Sequence, residues 1–418
     1  MAIAPQGKIS TSTTSGNNQN YNTALYSLMI LFFMMGFITC LNDILVPYLK
    51  KIFSLNYTQA SLIQFCFFGA YAVMSVPSSI IVEKYGYKKG MILGFVGAAI
   101  GCLLFFPAVT LHSYGVFLGA LFILATGVVL LQVAANPYVA VLGSPETASS
   151  RLTLNQALNS VGTFLAPFFG IYFILSALNK AGTSEAVKIP YLAIAAVLLI
   201  IAFILSRLTL PEIASDETNE NHHDESSTHS SAWSYPHLIL GAVGIFMYVG
   251  AEVAIGSYMV NYLEMPSVAG LGAEVAAKYV AFYWGGAMVG RFIGAYVLKI
   301  FKPGNVLAFN AALAIALILL SINSTGAVAM YSIILVGLCN SIMFPTIFTL
   351  AVKGLGKHTK QGSGILSTAI VGGAIIPVLQ ASLADSPSIG LRIAFIVPAI
   401  CYLYIVWFGF KGHKPKEA

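Results

Sequence analysis

Residues 189–205 read Ile-Pro-Tyr-Leu-Ala-Ile-Ala-Ala-Val-Leu-Leu-Ile-Ile-Ala-Phe-Ile-Leu, with no charge and no alternation of apolar with polar positions. A membrane-spanning strand alternates in units of roughly 10 residues, whereas a helix needs roughly 20 apolar residues to cross a bilayer core. This stretch with its flanks therefore reads as a transmembrane helix. The chain then reverses its character. Residues 209–235, TLPEIASDETNENHHDESSTHSSAWSY, are polar and hold the acids Glu212, Asp216, Glu217, Glu220, Asp224 and Glu225, with His222, His223 and His229 among them. The histidine spacing fits no metal-ligand pattern, and the segment reads as a solvated linker.

The same alternation of apolar run and polar interruption covers all 418 residues. Twelve candidate spans fall at about 24–49, 58–83, 88–109, 114–142, 149–178, 188–208, 236–263, 272–300, 303–322, 326–354, 360–384 and 388–411, six on each side of the linker. The expected fold is an all-α membrane protein of twelve transmembrane helices in two six-helix halves. Its parts are a disordered tail 1–23, an N-terminal bundle 24–208, the linker 209–235, a C-terminal bundle 236–411 and a short tail 412–418. The first 23 residues carry only Lys8 and lack the basic start and short apolar core of a cleaved signal.

Composition agrees. Hydrophobic residues make up 58% of the chain and charged ones 9%, against about 25% charged in a soluble domain. Mean hydropathy is +0.83. A cytosolic enzyme, a disordered chain and a secreted disulfide scaffold are excluded. The net charge of +6 invites no nucleic-acid reading, because the basic residues flank apolar runs, where they set topology. With the N-terminus inside, 15 Lys and Arg fall on the inner side and 6 (Lys50, Lys51, Lys180, Lys188, Lys278 and Arg392) on the outer. Both termini and the linker are thus expected in the cytoplasm. Cys40, Cys66, Cys102, Cys339 and Cys401 lie in apolar stretches with no CxxC, so zinc and disulfides are not expected.

The halves share marks. Val161-Gly162 with Pro167 recurs as Val371-Gly372 with Pro377, an offset of 210, and Pro137 pairs approximately with Pro345, as Asp43 does with Glu252. Agreement on nearly one offset argues for duplicated halves, the construction of many transporters.

A carboxylate at the membrane centre costs at least ~2.5 kcal/mol, so it needs a reason. Asp43 and Glu252 are the clearly internal acids, and neither has an internal Lys or Arg at helical spacing. Both are ion-coupling candidates. A carboxylate in low dielectric can hold a proton until its cavity hydrates, and carboxylate oxygens also ligate hard cations; Asp43 is a possible sodium ligand. Around them stands a set of amides: Asn42, Gln64, Gln132, Asn136, Asn155, Asn159, Asn261 and Asn340. A single amide in a membrane helix is ordinarily interhelical glue. A cluster presenting donors and acceptors together suits a polyhydroxylated neutral solute. Positions 151, 155, 159 and 162 share one helical face. Tyr283 and Trp284 are candidates for an apolar platform under a sugar ring. At the inner loops, Glu83-Lys84-Tyr-Gly86-Tyr-Lys88, Arg151 and Arg291 could close neighbouring helices by charge pairs as a cytoplasmic gate. GxxxxGK[ST], GxSxG and HExxH are absent, so energy must come from an ion gradient, from solute flow or from a partner.

Five stretches carry a resemblance: Leu41-Asn-Asp-Ile-Leu-Val-Pro47, Gln132-Val-Ala-Ala-Asn-Pro-Tyr138, Leu154-Asn-Gln-Ala-Leu-Asn-Ser160, Tyr248-Val-Gly-Ala-Glu252 and Phe344-Pro-Thr-Ile-Phe348. With the acid-Lys-x-Gly loop after span 2, in which Ser79 replaces the usual Gly, they resemble the major facilitator superfamily. Within it the chain is similar to the fucose:proton symporter family, above all its glucose/galactose branch, over residues 24–411. The resemblance implies that Asp43 is the essential span-1 aspartate, and that Gln132 stands where the fucose symporter has a proton-accepting glutamate. An amide cannot titrate there, while Glu252 stands where that symporter has Gln. A carboxylate has in effect changed halves.

The expected function is secondary active symport of a hexose (glucose, galactose, mannose or an N-acetylhexosamine) with Na+ or H+, by alternating access in a bacterial inner membrane. The protein is not expected to be an enzyme, to hold a cofactor or to bind nucleic acid. Its partners are a sugar and the lipid bilayer, and a monomer suffices. Rivals are a fucose-type proton symporter, a multidrug proton antiporter of the same fold, a membrane-embedded enzyme and a non-transporting sugar sensor.

Overall fold

The structure is a computed structural model that describes residues 25–40, 57–111, 113–169, 188–208, 210–211 and 231–415. Among these residues every regular element is helical. The N-terminal part contains α1 (Leu25–Cys40), α2 (Tyr57–Thr110), α3 (Tyr114–Val141), α4 (Ala148–Phe169) and α5 (Lys188–Arg207). The C-terminal part contains α6 (Pro236–Glu264), α7 (Ala273–Ile300), α8 (Pro303–Asn323), α9 (Gly326–Asn340), α10 (Met343–Ala351), α11 (Thr359–Thr368), α12 (Gly372–Ala384), α13 (Gly390–Ala394) and α14 (Ile396–Trp407). The linker 212–230 and the tail 1–24 lie outside the described residues.

The 54 residues of α2 would make roughly 80 Å of helix, far more than one crossing requires. The helix is broken at Gly86, whose φ of 82° and ψ of 167° lie where a side chain is strained. Gly86 thus divides spans 2 and 3, at the turn the sequence marks. Spans 10 to 12 are each interrupted as well: α9 and α10 at Ser341-Ile342, α11 and α12 by a 3-10 turn at Ala369–Val371, and α13 and α14 at Phe395. The fold is that of twelve crossings.

No oily driving force pulls helices together in lipid, so small residues that allow close approach decide the packing. A Cβ on Gly162 of α4 would lie 2.1 Å from the Phe33 carbonyl oxygen of α1, and one on Gly372 would lie 2.1 Å from that of Phe246 on α6. The sequence repeat is therefore a repeat of backbone contact. Exposed apolar side chains such as Phe203, Phe282, Phe309 and Leu403 give the bundle its lipid-facing belt.

Candidate functional site

The two parts meet where α4 packs on α7 and α10, and where α11 packs on α2 and α3. The seam is built from small polar residues. Ser149 Oγ lies 2.6 Å from Thr349 Oγ1, and Ser150 Oγ donates to the Ala295 carbonyl at 2.5 Å. Gly364 presses on Ser79, so that a Cβ there would lie 2.6 Å from that of Ser79. Lys360 Nζ stands 5.5 Å from the centre of the Tyr87 ring. These contacts close the end of the molecule that carries the Gly86 turn.

The paired prolines explain one bond across the seam and one beside it. A helical N–H normally binds the carbonyl four residues back, and proline has none. Pro137 thus frees the Val133 carbonyl, which accepts from Ser363 Oγ at 3.0 Å across the seam. Pro345 frees the Ser341 carbonyl, which accepts from Arg291 Nε at 3.3 Å. The same Arg291 donates through Nη1 to Ser160 Oγ on α4, and its Nη2 is 3.9 Å from Glu252 Oε1. Glu252 Oε1 is buried without a hydrogen bond. The cation that Glu252 lacks at helical spacing on its own span arrives through space, because α7 brings in a guanidinium from the next span.

Behind this pair lies a closed network in the C-terminal part. Asn340 Nδ2 donates to the Tyr283 hydroxyl at 2.7 Å, Asn340 Oδ1 accepts from Tyr402 at 2.6 Å, and the Asn340 carbonyl accepts from Tyr248 at 3.1 Å. Tyr283 in turn donates to the Glu252 carbonyl at 3.2 Å. Every side chain of this set except that of Glu252 is fully buried.

In the N-terminal part Gln132 Nε2 donates to the Tyr71 hydroxyl at 2.9 Å. Asn136 is wholly buried with neither amide atom bonded, and Asn155 Oδ1, Thr153 Oγ1, Thr346 Oγ1 and Ser367 Oγ are buried and unpaired as well. A buried polar group without a partner costs about 1–3 kcal/mol. These unpaired groups lie on α3, α4, α10 and α11, the helices that meet at the seam.

Comparison with known proteins decides the lineage. Residues 28–378 match the Major Facilitator Superfamily. The chain belongs to that superfamily. Among its relatives, this facilitator is 55% identical over 405 residues to a glucose/galactose transporter of Brucella abortus, with 96% of this chain and 97% of the relative covered. It is 34% identical to the L-fucose-proton symporter of Escherichia coli, with 94% of each chain covered. The crystal structure of the transporter FucP in the outward conformation superposes with a TM-score of 0.84 at 33% identity, covering 94% of this chain and 99% of that one. A bacterial homologue of the iron transporter ferroportin, at 11% identity and a TM-score of 0.71 over 93% of this chain and 99% of that one, shares the fold.

The facilitator fold distributes the sequence candidates unevenly. Asn42 and Asp43 lie outside the described residues, as does the side chain of Gln64. Gln132 and Asn136 stand beside the seam on α3. The face of Arg151, Asn155, Asn159 and Gly162 turns inward instead: Asn159 Nδ2 donates to the Phe32 carbonyl of α1 at 3.0 Å, and Asn155 Nδ2 to the Arg151 carbonyl at 2.9 Å. Asn159 is thus glue between α1 and α4 in this conformation. Asn261 is exposed near the far end of α6. Asn340 and Tyr283 are locked in the tyrosine network, so Tyr283 offers no free face to a ring here; Trp284 is 40% exposed and packs on Gly256.

The charge pair expected of Glu83 at the gate does not form among the described residues, where Glu83 and Lys84 are both exposed. Lys88 donates instead to the Ser206 carbonyl at 2.8 Å. Arg151 donates to the carbonyls of Val139, Ala140 and Ser144, holding the turn between α3 and α4. Arg291 belongs to the interior of α7, not to its end. Sequence reading missed Ser160, Tyr71, Tyr248, Tyr402 and Ser363, because hydroxyls are common and bear no mark. It also missed Gln380, which is wholly buried with both amide atoms unpaired; an amide in an apolar span was the available signal.

Proposed function

We propose that this chain is a secondary active sugar transporter that carries a hexose together with Na+ or H+ by rocking two six-helix halves, residues 24–208 and 236–411, about a central site. The observation that carries the reading is the 55% identity to a glucose/galactose transporter across nearly the whole of both chains. The unpaired buried amides and hydroxyls near the seam support a polyhydroxylated solute. Asp43 and Glu252 are the coupling residues of the proposal, with Asn42, Gln64, Gln132 and Asn136 as its sugar contacts. The excess of Lys and Arg on one side puts both termini in the cytoplasm of a bacterial inner membrane. The closed seam then faces the cytoplasm, and a monomer is the working unit.

Uptake of labelled glucose, galactose, mannose, fucose and N-acetylglucosamine into vesicles, with sodium and proton gradients imposed separately, tests the proposal. Accumulation of a hexose driven by one of the two gradients is expected. A second reading, a fucose-type proton symporter, draws on the 34% identity to an L-fucose-proton symporter; proton-driven accumulation of fucose and of none of the other sugars distinguishes it. No uptake above empty vesicles for any sugar ends both.

A further inference from the structure

Arg291 is shared between two partners that it does not satisfy together. Its Nη1 is spent on Ser160 of the opposite part, in close contact, while Ser160 donates its own proton to the Gln156 carbonyl at 3.0 Å and so is free to accept. Its Nε is anchored on the carbonyl that Pro345 leaves open. The remaining Nη2 stops 3.9 Å short of a carboxylate oxygen that has no hydrogen bond of its own. An unobstructed guanidinium and carboxylate close to about 2.7–2.9 Å. Tyr248, one turn back on α6, directs its proton to the Asn340 carbonyl. The guanidinium is thus held by Ser160 across the seam and by the Ser341 carbonyl of its own part, and Tyr248 also meets the Glu252 side chain; of these holds only Ser160 belongs to the opposite part.

From this geometry, and granting the rocking motion proposed above, we infer that Arg291 is a two-position latch. With the seam closed it reaches across to Ser160. When α4 and α7 separate, Ser160 leaves, and the guanidinium closes on Glu252 of its own half. The Glu252 carboxylate is thus the second seat of the latch, and its negative charge favours the open seam. Any cation or proton that neutralises Glu252 removes that seat and favours closure. Arg291 is a positioning residue here, acting on the conformational step rather than on the solute.

The test reads the seam directly and needs neither sugar nor gradient, so its failure is separate from failure of the transport reading. In the full chain with its five cysteines replaced, Ser149→Cys supplies a reporter that is buried against Thr349 when the seam is closed. Its rate of alkylation by a water-soluble maleimide, measured in nanodiscs, follows the open population. Adding Ser160→Ala is expected to raise that rate about tenfold, the lower end of what a hydrogen bond to a charged group is worth. Adding Glu252→Gln instead is expected to lower it, and the two together to fall between. General loosening of the fold would raise the rate in both single variants. A rate that rises in both, or that neither variant changes, overturns the latch.

Discussion

The Ser363 hydroxyl of one part donates at 3.0 Å to the Val133 carbonyl of the other, taking the lone pair that Pro137 leaves unclaimed. A proline that weakens its own helix thereby supplies the seam with an acceptor. Ser363→Ala leaves that buried carbonyl without a donor, at a cost of about 1–3 kcal/mol. Pro137→Ala returns an N–H to it from within α3. Thermal unfolding in detergent is expected to show a lower Tm for Ser363→Ala and partial recovery in the double variant. Two losses that simply add would contradict the assignment.

The paired glycines make a second prediction. Gly162→Ala and Gly372→Ala each drive a methyl group into a phenylalanine carbonyl of the neighbouring helix, and overpacking of this kind costs about 1–3 kcal/mol. Gly69 has open space around it, so Gly69→Ala is expected to be neutral or to gain up to about 1 kcal/mol from helix propensity. A Tm lowered in the first two variants and kept or raised in the third checks the repeat as a physical contact.

Asn340 separates a structural role from a binding one. Asn340→Ala strips partners from two buried tyrosine hydroxyls and is expected to lower the Tm and the yield of folded protein by removing about 2 kcal/mol or more. Sugar affinity of the fraction that folds is expected to stay within about threefold of wild type, since its amide faces Tyr283 and Tyr402. Isothermal titration on monodisperse protein reads the second quantity. A normal Tm with lost binding would move Asn340 to the sugar site.

For Gln132 the expectation is reversed. Gln132→Ala is expected to weaken sugar binding about tenfold and, since it leaves the buried Tyr71 hydroxyl without its donor, to lower the Tm modestly, while Tyr71→Phe is expected to weaken binding less, because the tyrosine orients the amide rather than meeting the solute. In a double-mutant cycle the two should be coupled by about 1 kcal/mol. Independent effects would show that Gln132 is oriented by something else.

Much of this molecule is legible in the chain. The twelve apolar runs, the Gly86 turn and the offset carrying Gly162 onto Gly372 are local signals, and the turn and the offset reappear as a break and a backbone contact. Asn340 and Arg291 are less legible, for one reason. Which side of a membrane helix faces a bundle interior, a seam or lipid cannot be told from a span that is apolar all round. By sequence Asn340 therefore resembles a solute contact, and Arg291 the end of span 8.

What the chain alone determined is thus its solvent and its plan: too few charges for water, enough apolar length for twelve crossings, and a repeat marked by glycine and proline. Only the packed structure decided the partners. Arg291 meets Glu252 and Ser160 because α7 packs both on its neighbour α6 and on α4 of the other part, and the carbonyls freed by Pro137 and Pro345 find donors only after that packing. Hydropathy is a sum over neighbours along the chain, whereas a hydrogen bond depends on the rotation and depth of each helix against the others.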